Sequence, residues 1–429
     1  MSGIILFILA VVGASGIIAQ MVLARELLVS FSGNELALGL VLANWMLAES
    51  LGVFLAGRFA AKGKQVALTF AGLQVAFSFF LLIALFVARA YKGMIGVGVG
   101  EGLGWWQALW WSFLILLPVA FTHGAMFSIG CQLTVGVKVT YVWETVGTLL
   151  GGLLLTYVLL PFISSFQIVL LIAGLGVVAL VILFLKRGQR VAMICLLAVG
   201  CCLLLGLFKS ADILEKTSLK QQWKTGLLLA SRNSVYGNIV ALKHNNQCTF
   251  YYNGVPAITT PHPDAVFIEE MGIVPLLFVD QPKRILVLGS GAGGLLSELL
   301  KHPIEKIDYV ELDSVLIDLV KTYATPKTTD ALYDARVNLV HQDPRLFLKK
   351  ATEWYDVIII GTSFSNDYAT NRFFTQEFFS LCLKRLDRQG VFALWLPGSP
   401  AYLSDEVRDL TGSVVNALKQ SGCFVRVIP

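Results

Sequence analysis

Charged residues are scarce in this chain. They make up 14% of its 429 residues, whereas hydrophobic residues make up 56%. Soluble domains carry about a quarter charged residues, so the composition excludes a wholly soluble protein. The scarcity is confined to one part, because charges are sparse up to residue 208 and reach ordinary density from Lys209 onward. We therefore predict a transmembrane helical domain over residues 1–208 and a soluble region after it.

Three further patterns are missing. No Lys/Arg run or basic stripe accompanies the formal charge of +5, which argues against a nucleic-acid partner. The seven cysteines form no CxxC pair and no regular spacing, so we expect neither a disulfide framework nor a metal ion. No basic segment precedes the first apolar stretch, which argues against a cleaved signal peptide.

Long apolar runs fill the first half of the chain. A helix that crosses a bilayer needs about 20 mostly apolar residues. The predicted spans, of which the last is short, are 4–24, 36–57, 66–88, 107–129, 140–160, 164–185 and 191–208. The short basic loops at 57–64 and 186–190 favour the cytoplasm. Six spans would then place the soluble region inside the cell and seven would place it outside, and the sequence leaves both open.

Several ionisable residues interrupt the apolar runs. Glu49 lies in the middle of the second span, and His123 and Glu144 lie in or beside later spans, as do Arg25 and Glu26. Charges at such depth are costly and usually face the interior of a bundle. The pattern indicates either structural pairing or a polar pocket, and it does not identify a ligand.

The soluble region begins with a linker and a small β-region over residues 209–260, in which 231–260 alternate apolar and polar residues around turns. Residues 261–429 are predicted to form a nucleotide-binding (Rossmann-type) α/β domain. From Lys283 onward, strands alternate with helices, which predicts a parallel, doubly wound sheet. The predicted strands are 284–289, 306–313, 337–343, 355–361 and 390–397, and the predicted helices extend to 302 and cover 344–351, 371–386 and 404–420.

The strand ends carry the candidate ligand-binding residues. The first strand runs into a glycine-rich turn that includes Gly289 and Gly291, and such a turn lets a ligand approach the backbone. Glu311 follows Gly291 by 20 residues, the distance at which a carboxylate accepts hydrogen bonds from ribose hydroxyls. Asp343 ends the third strand, where we expect an adenine amino group. These residues together predict an adenosine-containing ligand; close packing and helix capping are the alternative roles.

The motifs, in order, are S-V-Y-G-N-I at 234–239, N-G-V at 253–255, L-V-L-G-S-G-A-G-G at 286–294, V-E-L-D at 310–313, Q-D at 342–343, Y-D-V-I-I-I at 355–360 and F-F-T-Q-E-F-F at 373–379. Together they resemble the bacterial membrane-fused branch of the spermidine synthase (polyamine aminopropyltransferase) family. The resemblance implies a class I methyltransferase-like fold, location in the inner membrane and decarboxylated S-adenosylmethionine as a substrate. In that family an aminopropyl group passes to an amine held by acidic residues.

The resemblance breaks at the amine end of the site. Ala292, Gly361 and Phe364 stand where the family motifs carry acids or their partner. Asp367 and Glu269 are the candidate catalytic substitutes. We therefore keep several hypotheses: an aminopropyltransferase-like enzyme, a non-catalytic nucleoside-binding or regulatory protein, a methyltransferase that uses intact S-adenosylmethionine, and a transporter with an accessory domain. The acceptor and homo-oligomerisation stay open.

The last prediction concerns the strand at the end of the sequence. Residues 424–429 would fall inside or just after a sixth strand, whereas the family fold continues to a seventh. The pattern indicates either a differently built sheet edge or a truncated domain.

Overall fold

The structure is a computed structural model, and it describes residues 2–60, 65–134, 136–186, 188, 200, 210–261, 264–362, 368–398 and 404–428. The chain divides into two compact units, Met1–Thr225 and Gly226–Pro429. The predicted boundary between residues 208 and 209 lies outside the described residues. The first unit is helical and the second is an α/β domain with a parallel sheet, which confirms the predicted fold class.

The first unit is built from long apolar helices. They are α1 (Ser2–Ser30), α2 (Glu35–Ala60), α3 (Val66–Met94), α4 (Trp105–Leu133), α5 (Val137–Leu154) with a π-helical turn at Leu155–Leu159, α6 (Ser165–Lys186) and a helix over 210–222, here α7. Within the described part of the chain, six of them (α1 to α6) are long and apolar enough to cross a membrane. The predicted seventh span, 191–208, lies outside the described residues except for Gly200.

Small residues bring these helices into close contact. α1 packs along α5, and α2 packs along α4. A Cβ atom on Gly147 of α5 would lie 1.8 Å from the carbonyl oxygen of Ala10 in α1. Only glycine permits that approach, which is the usual way in which apolar helices gain van der Waals contact in lipid.

A buried ion-pair network joins four helices of the same unit. The Arg89 guanidinium in α3 donates to both carboxylate oxygens of Glu26 in α1, at 2.9 and 2.6 Å. It also lies 2.8 Å from the Glu215 carboxylate in α7, and the Ser165 hydroxyl at the start of α6 donates to Glu26 at 2.8 Å. Glu26 is thus paired inside the unit, and its partner is 63 positions away along the chain.

The second unit opens with an antiparallel meander, β1 (Leu227–Asn233), β2 (Asn238–His244), β3 (Gln247–Tyr252) and β4 (Val255–Thr260), paired in chain order. Ser234, between β1 and β2, donates a hydrogen bond to the Asp313 carboxylate at 2.5 Å. That contact ties the meander to the sheet domain, and it accounts structurally for one residue of the S-V-Y-G-N-I motif.

The sheet domain follows. Its strands are β5 (Arg284–Leu288), β6 (Lys306–Glu311), β7 (Val337–His341), β8 (Tyr355–Ile360) and β9 (Leu386–Ala393). Its helices are α8 (Ala265–Ile273), α9 (Leu295–Leu299), α10 (Ser314–Tyr323), α11 (Pro326–Tyr333), α12 (Pro344–Lys350), α13 (Tyr368–Asn371), α14 (Gln376–Leu383) and α15 (Asp405–Gln420), with 3₁₀ turns at Val274–Phe278 and Gly291–Gly293. All neighbouring strands are parallel, in the order β7-β6-β5-β8-β9.

Both faces of this sheet are covered. Successive residues of β5 alternate between two apolar cores: Ile285 and Val287 face one, and Leu286 and Leu288 face the other. A strand buried on both sides needs a continuous apolar run, which is why the central strands were readable from sequence.

Two strands differ between the prediction from the sequence and the structure. The last strand spans Leu386–Ala393 rather than 390–397, because it begins directly after α14 and its first residue pairs with Tyr355. Residues 424–428 lie outside any strand, so the expected sixth strand is wrong over that stretch. The side chains of Phe424 and Val427 are 94% and 73% exposed, so they have no packing partner to hold an extended strand.

Candidate functional site

A pocket lies at the carboxyl ends of β5, β6 and β8. The chain leaves β5 toward β6 on one side of the sheet order and β8 lies on the other, so this is the topological switch point where ligands bind in open α/β sheets. The pocket has an empty volume of about 330 Å³. It is lined by Leu288, Gly289, Val310, Glu311, Leu312, Pro344, Ile360, Thr362, Phe373 and Phe378.

The glycine-rich turn is shaped by backbone conformation and by close packing. Gly289 has φ 74° and Ser290 has φ 50°, both in the left-handed region, and this reverses the chain after β5. A Cβ on Gly291 would lie 3.0 Å from the Tyr309 ring. A Cβ on Gly361, after β8, would lie 2.2 Å from the carbonyl oxygen of Gly289. Close approach therefore accounts for Gly291 and Gly361 without any ligand.

Glu311 is the acidic residue in the pocket wall. Its Oε2 accepts hydrogen bonds from the Ser290 amide at 3.0 Å and the Tyr309 hydroxyl at 2.9 Å, and its Oε1 accepts from the Leu312 amide at 3.1 Å. Burial raises the pKa of this carboxyl above its ordinary value, although the three hydrogen bonds oppose the shift. The carboxylate is thus held at the pocket edge in one orientation.

Tyr309 is a site residue that sequence reasoning missed. It is fully buried beneath the glycine-rich turn, where its hydroxyl donates to Glu311 and is hydrogen-bonded by the backbone of Gly291 and Ala292. Burial and the neighbouring Glu311 charge raise its pKa well above the ordinary value, so it stays a neutral donor. Its position two residues before Glu311 puts both side chains on one face of β6, which is the signal that could have identified it.

Asp343 is engaged in structural contacts. It caps α12 by accepting hydrogen bonds from the amides of Arg345 and Leu346, and its other oxygen lies 2.8 Å from the Arg372 guanidinium. The neighbouring Pro344 lines the pocket, whereas Asp343 does not appear among the lining residues. The carboxylate therefore serves as a helix cap, and its expected contact with an adenine group stays a prediction.

Two positions at which the family motifs carry acids are described, and neither can hold a carboxylate in the pocket as the domain is packed. Ala292 is 2% exposed and belongs to a hydrophobic core of the domain. Gly361 leaves no room for a side chain against Gly289, as its Cβ contact shows. Phe364 and the candidate Asp367 lie outside the described residues. Glu269, the other candidate, is exposed on α8 and does not line the pocket.

Two aromatic side chains of the F-F-T-Q-E-F-F motif, to which the sequence assigned no role, form one wall of the pocket. Phe373 and Phe378 line the pocket, and their rings lie 5.2 Å apart. The Arg372 guanidinium lies 4.8 Å above the Phe373 ring and joins this wall to Asp343. Apart from the Glu311 carboxylate and the Thr362 hydroxyl, the described side chains of the pocket are apolar. The wall suits a planar, largely apolar group with a polar edge.

Residues 265–429 match the family model described as the spermine/spermidine synthase domain. Curated polyamine aminopropyltransferases are similar to the chain. The protein of Agathobacter rectalis is 34% identical over 143 residues, which cover 33% of this chain and 49% of that protein. The protein of Corynebacterium efficiens is 27% identical over 296 residues, which cover 67% of this chain and 55% of that protein.

That second alignment is longer than the second unit and so extends into the helical unit. The chain spans about half the length of these curated relatives.

Two solved structures are also similar. Spermidine synthase from Thermotoga maritima is 26% identical with a TM-score of 0.39, and the match covers 45% of this chain and 64% of that one. A spermidine synthase in complex with the transition-state analogue AdoDATO is 24% identical with a TM-score of 0.40 and the same coverage. The family match and the curated relatives thus show that residues 265–429 are similar to the spermine/spermidine synthase domain.

Proposed function

We propose that this chain is a membrane-anchored, spermidine synthase-like protein that binds an S-adenosylmethionine-derived nucleoside in the strand-end pocket. The orientation of Glu311 is the observation that carries the proposal. Each carboxylate oxygen has about two lone-pair sites. Oε2 uses both on Ser290 and Tyr309, whereas among the described residues Oε1 accepts only from Leu312 and so keeps room for a ribose hydroxyl.

The rest of the pocket supports the same ligand class. The left-handed conformations of Gly289 and Ser290 turn the backbone at the edge of the site, and Gly289 lines the pocket. Phe373 and Phe378 offer an apolar wall for a purine ring.

Binding and turnover are separate parts of the proposal. In aminopropyl transfer a carbon–sulfur bond of the donor breaks, a carbon–nitrogen bond to the amine forms, and the amine loses a proton. Positioned general bases contribute roughly 10²–10⁴-fold to such steps. Ala292 and Gly361 provide no carboxylate, so turnover by this route would depend on Asp367 or Glu269.

The absence of carboxylates at positions 292 and 361 favours a second candidate function. A pocket that keeps the nucleoside end but lacks acids at positions 292 and 361 suits a nucleoside-binding or regulatory protein without aminopropyl transfer. The absence of these acids also suits methyl transfer from intact S-adenosylmethionine to a neutral acceptor. The three functions differ in donor preference and in product.

Calorimetric titration of the purified full chain tests binding. Decarboxylated S-adenosylmethionine, S-adenosylmethionine and methylthioadenosine are each titrated into the protein and into the variants Glu311→Gln and Glu305→Gln. Glu305 is an exposed acid of the same domain that pairs with Lys283, so its variant is the matched control. We expect binding that Glu311→Gln weakens and Glu305→Gln leaves unchanged. Equal affinities in all three proteins, or no binding, would refute the proposed site.

Product analysis by mass spectrometry separates the candidate functions. Methylthioadenosine and an extended amine, formed from the decarboxylated donor and putrescine, would establish aminopropyl transfer. Loss of product in Asp367→Asn but not in Glu269→Gln would identify the substitute acid. S-adenosylhomocysteine formed from the intact donor would indicate methyl transfer. Tight binding without either product would favour the regulatory function.

The membrane part of the proposal concerns α1 to α6, which we place in the inner membrane with the lipid bilayer as partner. These nucleosides are made in the cytosol, so the proposed function requires the second unit on the cytoplasmic side. Asp318 is exposed on α10. In a cysteine-free background, Asp318→Cys should react with a membrane-impermeant thiol reagent only after the cells are opened. Labelling of intact spheroplasts would contradict this orientation.

A further inference from the structure

Three ionisable side chains meet inside the helical unit, remote in sequence from the strand-end pocket. His123 lies in α4, Glu49 in α2 and Glu144 in α5. Their side chains are 7%, 28% and 16% exposed, and one donor atom from each lies within 4.8 Å of the other two. We propose that they form a binding site for a divalent transition-metal ion.

The hydrogen bonds orient the imidazole as a metal ligand. His123 Nδ1 lies 2.6 Å from Glu49 Oε1. An ionised carboxylate can only accept, so Nδ1 carries the proton, and in the neutral imidazole Nε2 presents its lone pair. The other oxygen of Glu49 accepts from the Trp45 indole at 3.0 Å, which holds the carboxylate in place. A carboxylate that fixes the histidine tautomer from behind is the usual support of a metal-binding histidine.

Nε2 faces two oxygen atoms. It lies 3.9 Å from Glu144 Oε1 and 3.3 Å from the carbonyl oxygen of Val12 in α1. In the neutral form that lone pair is directed at two oxygen atoms, which is repulsive unless a positive charge lies between them, either a metal ion or a proton that Nε2 donates to the Val12 carbonyl oxygen. Bonds from zinc to nitrogen and oxygen are about 2.0–2.2 Å, so one ion can bridge two donors up to about 4.3 Å apart. The separation of 3.9 Å fits that span.

Charge favours a divalent ion over a proton. With both carboxylates ionised and the imidazole neutral, the cluster carries two formal negative charges inside an apolar bundle. Such charge is costly unless it is compensated. One proton on His123 would leave a net negative charge, whereas one divalent cation brings the sum to zero. Nitrogen and carboxylate donors together are typical of zinc and of neighbouring transition metals.

The backbones of the surrounding helices pack closely around the cluster. A Cβ on Gly16 of α1 would lie 2.2 Å from His123 Nε2, so α1 covers the imidazole closely. Gly13 of α1 and Gly124 of α4 permit equally close approach to the backbones of Glu144 and Glu49. Glycines thus bring α1, α2, α4 and α5 together at this point.

Metal titration of the full-length protein in detergent tests the proposal. The chelator-treated protein is titrated with Zn²⁺ and Mn²⁺ by calorimetry and with Co²⁺ by visible absorption, which reports coordination directly. We expect one saturable equivalent with a cobalt spectrum typical of mixed nitrogen and oxygen ligands. Glu144→Gln and His123→Ala should abolish it. Glu49→Gln, which removes only the supporting carboxylate, should weaken it about 10–100-fold.

His244→Ala is the matched control, because His244 is an exposed histidine of the other unit and its loss should leave the equivalent intact. Size-exclusion chromatography and the thermal transition show whether each variant is folded, and Glu144→Gln preserves side-chain volume if His123→Ala does not fold. Absence of saturable binding of all three metals would overturn the proposal and leave the cluster as a proton-binding group. Binding that survives Glu144→Gln, or that Glu49→Gln leaves undiminished, would overturn it as well.

Discussion

The two units of this chain use carboxylates in opposite ways. In the helical unit Glu26 is held by a guanidinium that belongs to another helix, and every partner of the pair is a side chain. In the sheet unit Glu311 is held by two backbone amides and the Tyr309 hydroxyl, all within or beside the same strand ends. Helices satisfy their own backbone groups internally, so an acid among them must find a side-chain partner. Parallel strands end with free amides, so an acid there can be held without a cation and stay available to a ligand.

The largest loss of stability should come from removing the cation of the buried ion-pair network in the helical unit. Arg89→Met leaves Glu26 and Glu215 without their shared cation. Removal of one partner of a buried ion pair costs about 3–5 kcal/mol. The thermal transition of the detergent-purified chain should fall accordingly, while Lys138→Met, at an exposed position of α5, should leave it unchanged. Equal transitions for the two variants would show that the network carries little stability.

Glu311 provides a test in the sheet unit. Because its pKa is raised, stability and nucleoside binding should change in opposite directions as pH changes. Burial raises its pKa, so its favourable contribution to the unliganded fold is present at low pH and is lost as pH rises through the folded pKa. Nucleoside binding needs the ionised form and should weaken as pH falls through that same raised value. Glu311→Gln should bind more weakly by about 1.5–3 kcal/mol at neutral pH.

Calorimetry and thermal unfolding over a common pH series measure both trends for Glu311. The Glu311→Gln variant should lose the inflection in each curve. Parallel rather than opposed pH trends in the native protein would contradict the assigned role.

Close backbone approach can be compared within the sheet unit itself. Gly361→Ala puts a methyl group against the Gly289 carbonyl, and overpacking of this kind costs about 1–3 kcal/mol. Gly293→Ala is the matched control in the glycine-rich turn, since a Cβ there meets no atom within 4 Å. Urea unfolding followed by circular dichroism should separate the two variants. A stable Gly361→Ala protein would show that the turn can shift, and that an acid could be accommodated at this position.

The smallest effect on stability should come from a partly exposed ion pair in the sheet unit, whose side chains are 34% and 28% exposed. The Arg336 guanidinium lies 2.9 Å from Asp334 and lowers the pKa of that carboxyl to about 2. The pair's contribution is therefore present above the unfolded pKa of Asp334 and is lost as pH falls toward about 2. Solvent screens it, so a double-mutant cycle of Arg336→Ala and Asp334→Ala at neutral pH should give about 0.2–1 kcal/mol. A coupling as large as that expected for Arg89 would remove the distinction between buried and exposed pairs.

The sequence by itself predicted the elements whose signal is local. Six apolar runs became α1 to α6, and the central strands β5, β6 and β8 appeared where apolar residues are continuous. Glu311 and the glycine-rich turn were found because their spacing follows from one βαβ unit. Hydropathy and periodicity depend on neighbouring residues only, so they can be read without the fold.

The tertiary structure alone decided which polar groups meet. It paired Arg89 with Glu26 and Glu215, placed Tyr309 beneath the turn, and engaged Asp343 in a helix cap and an ion pair with Arg372. It also showed that the Gly289 carbonyl leaves no room for a side chain at position 361. Except for the Tyr309–Glu311 hydrogen bond and the Asp343 helix cap, which are local, these contacts join residues that are far apart in the chain, and their geometry depends on how whole helices and strands pack. No local pattern encodes such distances, which is why the sequence predicted the acids but not their partners.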